Sequence, residues 1–173
     1  MRQISLIISL TVLTLGSKAQ HQTNMKINPD APVVQTKSIT INATPEKIWH
    51  VLSDVKNWSQ WNEKIDKVQI EEKLIVGTEF IWKSGGTKIK SKVHTLNINK
   101  TLGWTGKTVG AQAIHNWHFT ETENGTKITV EESMEGWLIG LMKKKMNTIL
   151  EKDMAAWLEQ LKLESERNML VEF

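Results

Sequence analysis

The 173-residue chain contains no cysteine, no tyrosine and only three prolines. Without cysteine there is no disulfide framework, no thiolate metal ligand and no attachment point for a lipid at the amino terminus. No glycine-rich loop leads from a strand into a helix, so there is no phosphate cradle, and Gly85-Gly86 reads as a plain hairpin turn. No serine stands in a nucleophile-elbow context. Histidines are few: His115 and His118, three apart on a strand-like segment, point to opposite faces, and His21, His50 and His94 have no partner at ligand spacing. Neither a metal nor a cofactor is expected. An excess of one charge is also missing, with 22 Lys+Arg against 19 Asp+Glu and a net charge of +3. Nucleic-acid binding gains no support from that balance.

What is present begins with Met1-Arg2, the apolar run "ISLIISLTVLTL" (4–15) and Ser17-Lys18-Ala19. A basic start, an apolar stretch and small residues near Ala19 form the pattern of a secretory signal peptide. A spanning helix needs about 20 apolar residues, so the run is short for a membrane anchor. The expectations are cleavage after Ala19, a periplasmic or extracellular location, and no stable membrane insertion afterwards. Loss of Arg2 and Lys18 would lower the net charge from +3 to +1.

Residues 20–32 are polar, contain Pro29 and Pro32, and read as a flexible lead-in. "TKSITIN" (36–42) alternates as a strand does. From Thr44, an N-cap candidate before Pro45, a helical pattern buries Ile48, Trp49, Leu52 and Val55 and breaks near 54–57 into two short helices. Six strand-like segments follow, at 67–76, 78–83, 87–98, 101–108, 111–122 and 126–134, separated by turn signals. Lys88, Lys90 and Lys92 alternate with Ile89, Ser91 and Val93, as in a sheet wet on one side and packed on the other. From Trp137 to about Leu163 the apolar period becomes helical, including Leu138, Leu141, Met142, Met146, Ile149, Leu150, Met154, Trp157, Leu158 and Leu161. The predicted fold class is α+β: a curved antiparallel sheet of about seven strands, two short helices after the first strand, and one long carboxy-terminal helix on its dry face.

The segments "INATPEKIWHVLSDVKNWSQWN", "GTEFIWK", "LGWTGK", "AIHNWHF" and "VEESMEGW" resemble, in order and spacing, the polyketide cyclase/dehydrase and lipid-transport branch of the START-like (Bet v 1-like) superfamily. The resemblance covers about residues 33–165, leaving 166–173 as a tail. It implies a helix-grip fold with an elongated apolar cavity for lipids, sterols, polyketides or similar molecules. It does not imply an enzyme, because fold alone does not carry a reaction.

Candidate site residues come from alternation around two turns. With Asn124-Gly125 as a type I′ pair, Glu123 meets Thr126, so Phe119 faces Val130, Trp117 faces Glu132 and His115 faces Met134. Across 107–110, Gly106 meets Ala111, Trp104 meets Ala113 and Leu102 meets His115. One face then holds Leu102, Trp104, Ala113, His115, Trp117, Phe119, Val130 and Glu132, joined by Phe80 and Trp82. Small residues opposite Trp104 favour a cavity over a solid interior. His115 and Glu132, a diagonal step apart, are within mutual reach. Such a pair can anchor a ligand at the polar end of the cavity, serve as acid and base in a cyclase or dehydratase, or satisfy itself as structure.

Of the eight tryptophans, Trp49, Trp58 and Trp61 cluster in the short helices; the resemblance places them near the cavity mouth, although helical spacing reads as core. Lys143–Lys145 read as a solvated face or as a membrane-surface contact. The expected function is an exported binder or carrier of a small hydrophobic molecule. The alternatives are a cyclase/dehydratase-type enzyme using His115 and Glu132, and a protein-interaction module of the Hsp90-activator type.

Overall fold

The computed structural model describes residues 24–167. The apolar run 4–15, the expected processing site at Ala19 and most of the expected tail lie outside those residues. The order is β1 (Val33–Ile41), α1 (Pro45–Ser53), a 3-10 turn (Val55–Asn57), α2 (Trp58–Trp61), β2 (Ile65–Gln69), β3 (Glu79–Ser84), β4 (Thr87–Asn97), β5 (Thr101–Thr108), β6 (Ala111–Thr122), β7 (Gly125–Glu135), α3 (Trp137–Leu141) and α4 (Lys143–Glu166). The seven strands form one antiparallel sheet in the order β1-β7-β6-β5-β4-β3-β2. This is the helix-grip fold, a curved open sheet closed on one face by a long carboxy-terminal helix.

Local chemistry explains the boundaries. Thr44 caps α1, its hydroxyl accepting from the Lys47 amide at 3.3 Å, and Pro45 occupies the first turn, where no amide donor is needed. α1 buries Ile48, Trp49 and Leu52. α4 is laced to β1 along its length. Gln35 donates to Asn147 at 3.0 Å and Lys37 pairs with Glu151 at 2.9 Å. Farther along, Lys162 donates to the Thr40 carbonyl at 3.2 Å and the Asn42 amide to Glu166 at 2.7 Å. On its other side, Lys64 pairs with Asp153 at 2.5 Å and Gln160 donates to Glu63 at 3.1 Å. On the sheet face turned away from α4, Asn28 uses its backbone amide to reach Ser133 and its side chain to reach Glu135, at 3.0 and 2.6 Å.

Four expectations need correction. The β6–β7 register is Thr122↔Gly125, not Glu123 with Thr126, so His115 lies directly opposite Glu132 and Trp117 opposite Val130. Gly125 sits just past the turn at φ 111°, where an added Cβ would lie 2.2 Å from the Ile41 carbonyl oxygen. The glycine answers that close approach. The β5–β6 register is likewise shifted, with Gly106 opposite Ala113, Trp104 opposite His115 and Leu102 opposite Trp117. Both shifts are of two residues, so every side chain keeps its face. The helix expected from Trp137 to Leu163 is two, α3 and α4, divided at Met142 with φ −114° and ψ 25°. Finally, β2 ends at Gln69, leaving 70–76 as loop.

Candidate functional site

Between α4 and strands β3–β7 lies a cavity of about 730 Å³. Its origin is legible in the pairing. Gly106 and Ala113 face each other across β5 and β6, and both line the space, so the sheet presents little bulk there. The opposite wall comes from Leu138, Met142, Met146, Met154 and Trp157 of α3, α4 and their junction. Methionines are flexible and polarizable, suited to a wall that conforms to varied apolar shapes.

Of the sequence-selected residues, Trp82, Trp104, Ala113, His115, Trp117, Val130 and Glu132 line this cavity. Phe80, Leu102 and Phe119 do not; they are buried in the adjoining core. Phe80 packs edge-on against Trp58 at 5.7 Å, and Phe119 meets Trp49 at 5.7 Å. Alternation correctly put them on the inner face but could not tell cavity wall from filled interior. Trp49 and Trp58 are core as well, and Trp58, fully buried, touches Phe80, Trp82, Trp104 and Trp157 with ring centroids 5.0–5.8 Å apart. Sequence reasoning did not assign to the site the helical wall of Leu138, Met142, Met146, Met154 and Trp157, which it read only as an apolar stripe, and it missed the charged lining residues Lys64 and Asp153. Their only signal was a charge on each of two segments remote in the chain.

The wall's second ion-paired feature is His115 and Glu132. Direct cross-strand pairing brings His115 Nδ1 within 2.5 Å of Glu132 Oε2, with the two side chains 13% and 12% exposed. The carboxylate accepts, so Nδ1 carries the proton, and in the neutral ring Nε2 holds a lone pair. The imidazole lies nearly parallel to Trp104, centroids 4.6 Å apart and planes at 10°, with Trp117 at 5.5 Å and Trp157 at 6.4 Å. His115 Nε2 and Trp117 Nε1 are both buried and meet no hydrogen-bond partner among the described residues. An unmet buried donor or acceptor costs about 1–3 kcal/mol.

The sheet's other face holds a second polar cluster. A bulge in β4 between Val93 and Thr95 turns His94 over Gly103, where a Cβ would lie 2.6 Å from the imidazole and 2.4 Å from Asn116 Oδ1. Burial pushes His94 down to about 4, beyond what its backbone hydrogen bond to Trp104 restores. Asn116 donates to the Met25 carbonyl and to Glu131, which also pairs with His118 at 3.3 Å. His115 and His118 thus lie on opposite faces, and among the described residues no three His, Asp or Glu converge as metal ligands. Nor, among them, is any helix long and apolar enough to cross a membrane.

A curved sheet gripping a helix around a largely apolar space defines a hydrophobic ligand-binding fold of the polyketide cyclase/dehydrase kind. Residues 32–166 match the family model described as polyketide cyclase / dehydrase and lipid transport, and the chain belongs to that family. The solved structures agree on the fold. Hypothetical protein jhp0584 from Helicobacter pylori superposes with a TM-score of 0.72 at 16% identity, covering 91% of this chain and 99% of that one. The Zhui aromatase/cyclase from Streptomyces sp. R1128 gives 0.68 at 15%, covering 79% and 94%. The di-domain aromatase/cyclase StfQ of the steffimycin biosynthetic pathway gives 0.69 at 12%, covering 79% of this chain and 51% of that one. A search of curated proteins returns no match.

Proposed function

We propose that the protein binds or carries a small hydrophobic molecule, with His115 and Glu132 anchoring its polar end. The observation that carries this reading is the single His–carboxylate pair set in an otherwise largely apolar and aromatic cavity wall. The carboxylate fixes the imidazole's tautomer and orientation, and a small shift of the surrounding rings would offer Nε2 to one oxygen or nitrogen of a ligand. Export, proposed from the apolar run ahead of Ser17-Lys18-Ala19, would set that carrier outside the cytoplasm. Amino-terminal sequencing of the native protein should then begin at Gln20; an intact Met1 would remove the export proposal.

A second reading, acid–base catalysis of a cyclisation or dehydration, draws on the same pair and on the aromatase/cyclases among the structural neighbours. Titration of fatty acids and steroids against intrinsic fluorescence tests binding, since Trp82, Trp104, Trp117 and Trp157 line the space. A saturable change is expected, and its absence across a broad panel would defeat the reading. For an anchor, His115→Ala should weaken binding by about 1.5–3 kcal/mol while stability moves less. For a purely structural pair, His115→Ala or Glu132→Gln should instead cost roughly 3–5 kcal/mol of folding energy with affinity unchanged. For a catalytic pair, affinity would hold and turnover would fall about 10²–10⁴-fold.

A further inference from the structure

One end of the molecule is unlike the rest of its surface. The β5–β6 turn and α3 expose three large apolar residues, Val109 (82%), Trp137 (68%) and Leu141 (77%). They are neighbours: the Leu138 amide donates to the Gly110 carbonyl at 3.1 Å, and the Trp137 indole lies over Gly110, where a Cβ would come within 2.8 Å of it. Trp137 and Leu141 are four apart on α3, on one side of it. Immediately after them come Lys143, Lys144 and Lys145, all exposed, and Lys107 precedes the turn. None of these four lysines forms an ion pair among the described residues. The nearby acids are engaged, Glu135 by Asn28 and Glu151 by Lys37.

We infer that this end of the molecule docks on an anionic lipid surface. A Trp and two aliphatic side chains standing out of the protein, flanked by unpaired lysines, match an interface that is apolar beneath and negative at the headgroups. A second copy of the chain fits poorly, because an isologous contact would bring the lysine clusters together. The surface is also continuous with the cavity, since Thr108, Leu138, Met142 and Lys145 line its wall at this end. Docking would therefore set the cavity against the lipid phase, the part of the inference that rests on the ligand-binding reading.

The test is sedimentation of the full chain with vesicles of phosphatidylcholine alone and of phosphatidylcholine with phosphatidylglycerol. Because no cavity ligand is added, a failure here is distinct from a failure of the fluorescence titrations. Binding is expected only to the anionic vesicles and should fall as salt rises. Lys143→Glu with Lys144→Glu should weaken it by roughly fivefold or more for each lysine replaced. Leu141→Ser should weaken it clearly, and Leu163→Ser, also well exposed (68%) but near the far end of α4, should not. These side chains are surface ones, so the variants should fold, and circular dichroism checks that. No binding, equal binding to neutral vesicles, or binding untouched by the Leu141 and lysine variants would overturn the proposal. The last result would assign the affinity to the apolar run 4–15. Self-association lost in the same variants would overturn it in favour of a second copy.

Discussion

α4 meets the sheet in two different ways. Toward its end, Leu158, Leu161 and Ser165 are buried in solid packing beside β1 and α1. Over its earlier turns, from Lys145 to Trp157, the helix looks onto the cavity. The helix and its tethers to β1 continue through both halves, so the difference is not one of docking strength. It comes from what stands opposite: small Gly106 and Ala113 before the hollow half, and large branched side chains such as Ile41, Ile48 and Leu52 around the solid one. A family fold can thus keep its stability in one half and reserve the other for a guest.

The strongest test of the contrast is Trp58→Ala, which should cost about 3–5 kcal/mol in a denaturant melt, because four aromatic rings lose their common neighbour. A cost near zero would show that the aromatic cluster backing the cavity wall is loosely packed. Next, Leu161→Ala should cost roughly 2–5 kcal/mol, whereas Met146→Ala, which only enlarges a space already present, should cost about 1 kcal/mol or less. Equal costs would erase the distinction between the halves.

Acid approaches the hollow half from behind, through His94 on the outer face of β4. Its folded pKa lies below its ordinary value of 6.5, at about 4. The unfolded chain therefore takes up the proton first, so stability is full above pH 6.5 and declines as pH falls toward about 4. The loss should be on the order of 3 kcal/mol, seen as a difference in pH dependence between the parent and His94→Gln. Matching pH profiles would refute the assignment. The smallest effect is expected from Ala113→Trp, which should fill the cavity and remove the fluorescence response while shifting stability by about 1 kcal/mol or less. Ala43→Trp, in the solid half, should cost about 1–3 kcal/mol or more.

The strands, the two short helices and the inward face of the sheet were all readable from period and turn residues. Register was not. Asn124-Gly125 looks like the turn itself, but the glycine is needed where the chain brushes the Ile41 carbonyl, a contact from another part of the fold. An error of two residues still left His115 and Glu132 on one face, which is why their partnership could be foreseen while their direct opposition could not. The division at Met142 was signalled only by Gly140, two residues before it in an otherwise helical apolar period, and Leu141, counted in the buried stripe, is 77% exposed. Lys64 with Asp153 could not be foreseen because neither position is special until β2 and α4 come together.

The pairing of β1 with β7, from Val33↔Met134 to Ile41↔Thr126, has a consequence for how the chain acquires its shape. Among the described residues, the first strand to be synthesised finds its only strand partner in the last, so no local hairpin can recruit it. The central hairpins close short loops and can form early; β1 must wait until the whole sheet sequence has emerged. Until then β7 offers an unprotected edge, the moment of greatest exposure to aggregation. Ile41→Val should accordingly accelerate unfolding and leave the refolding rate nearly unchanged in a chevron measurement, marking β1 as a late arrival.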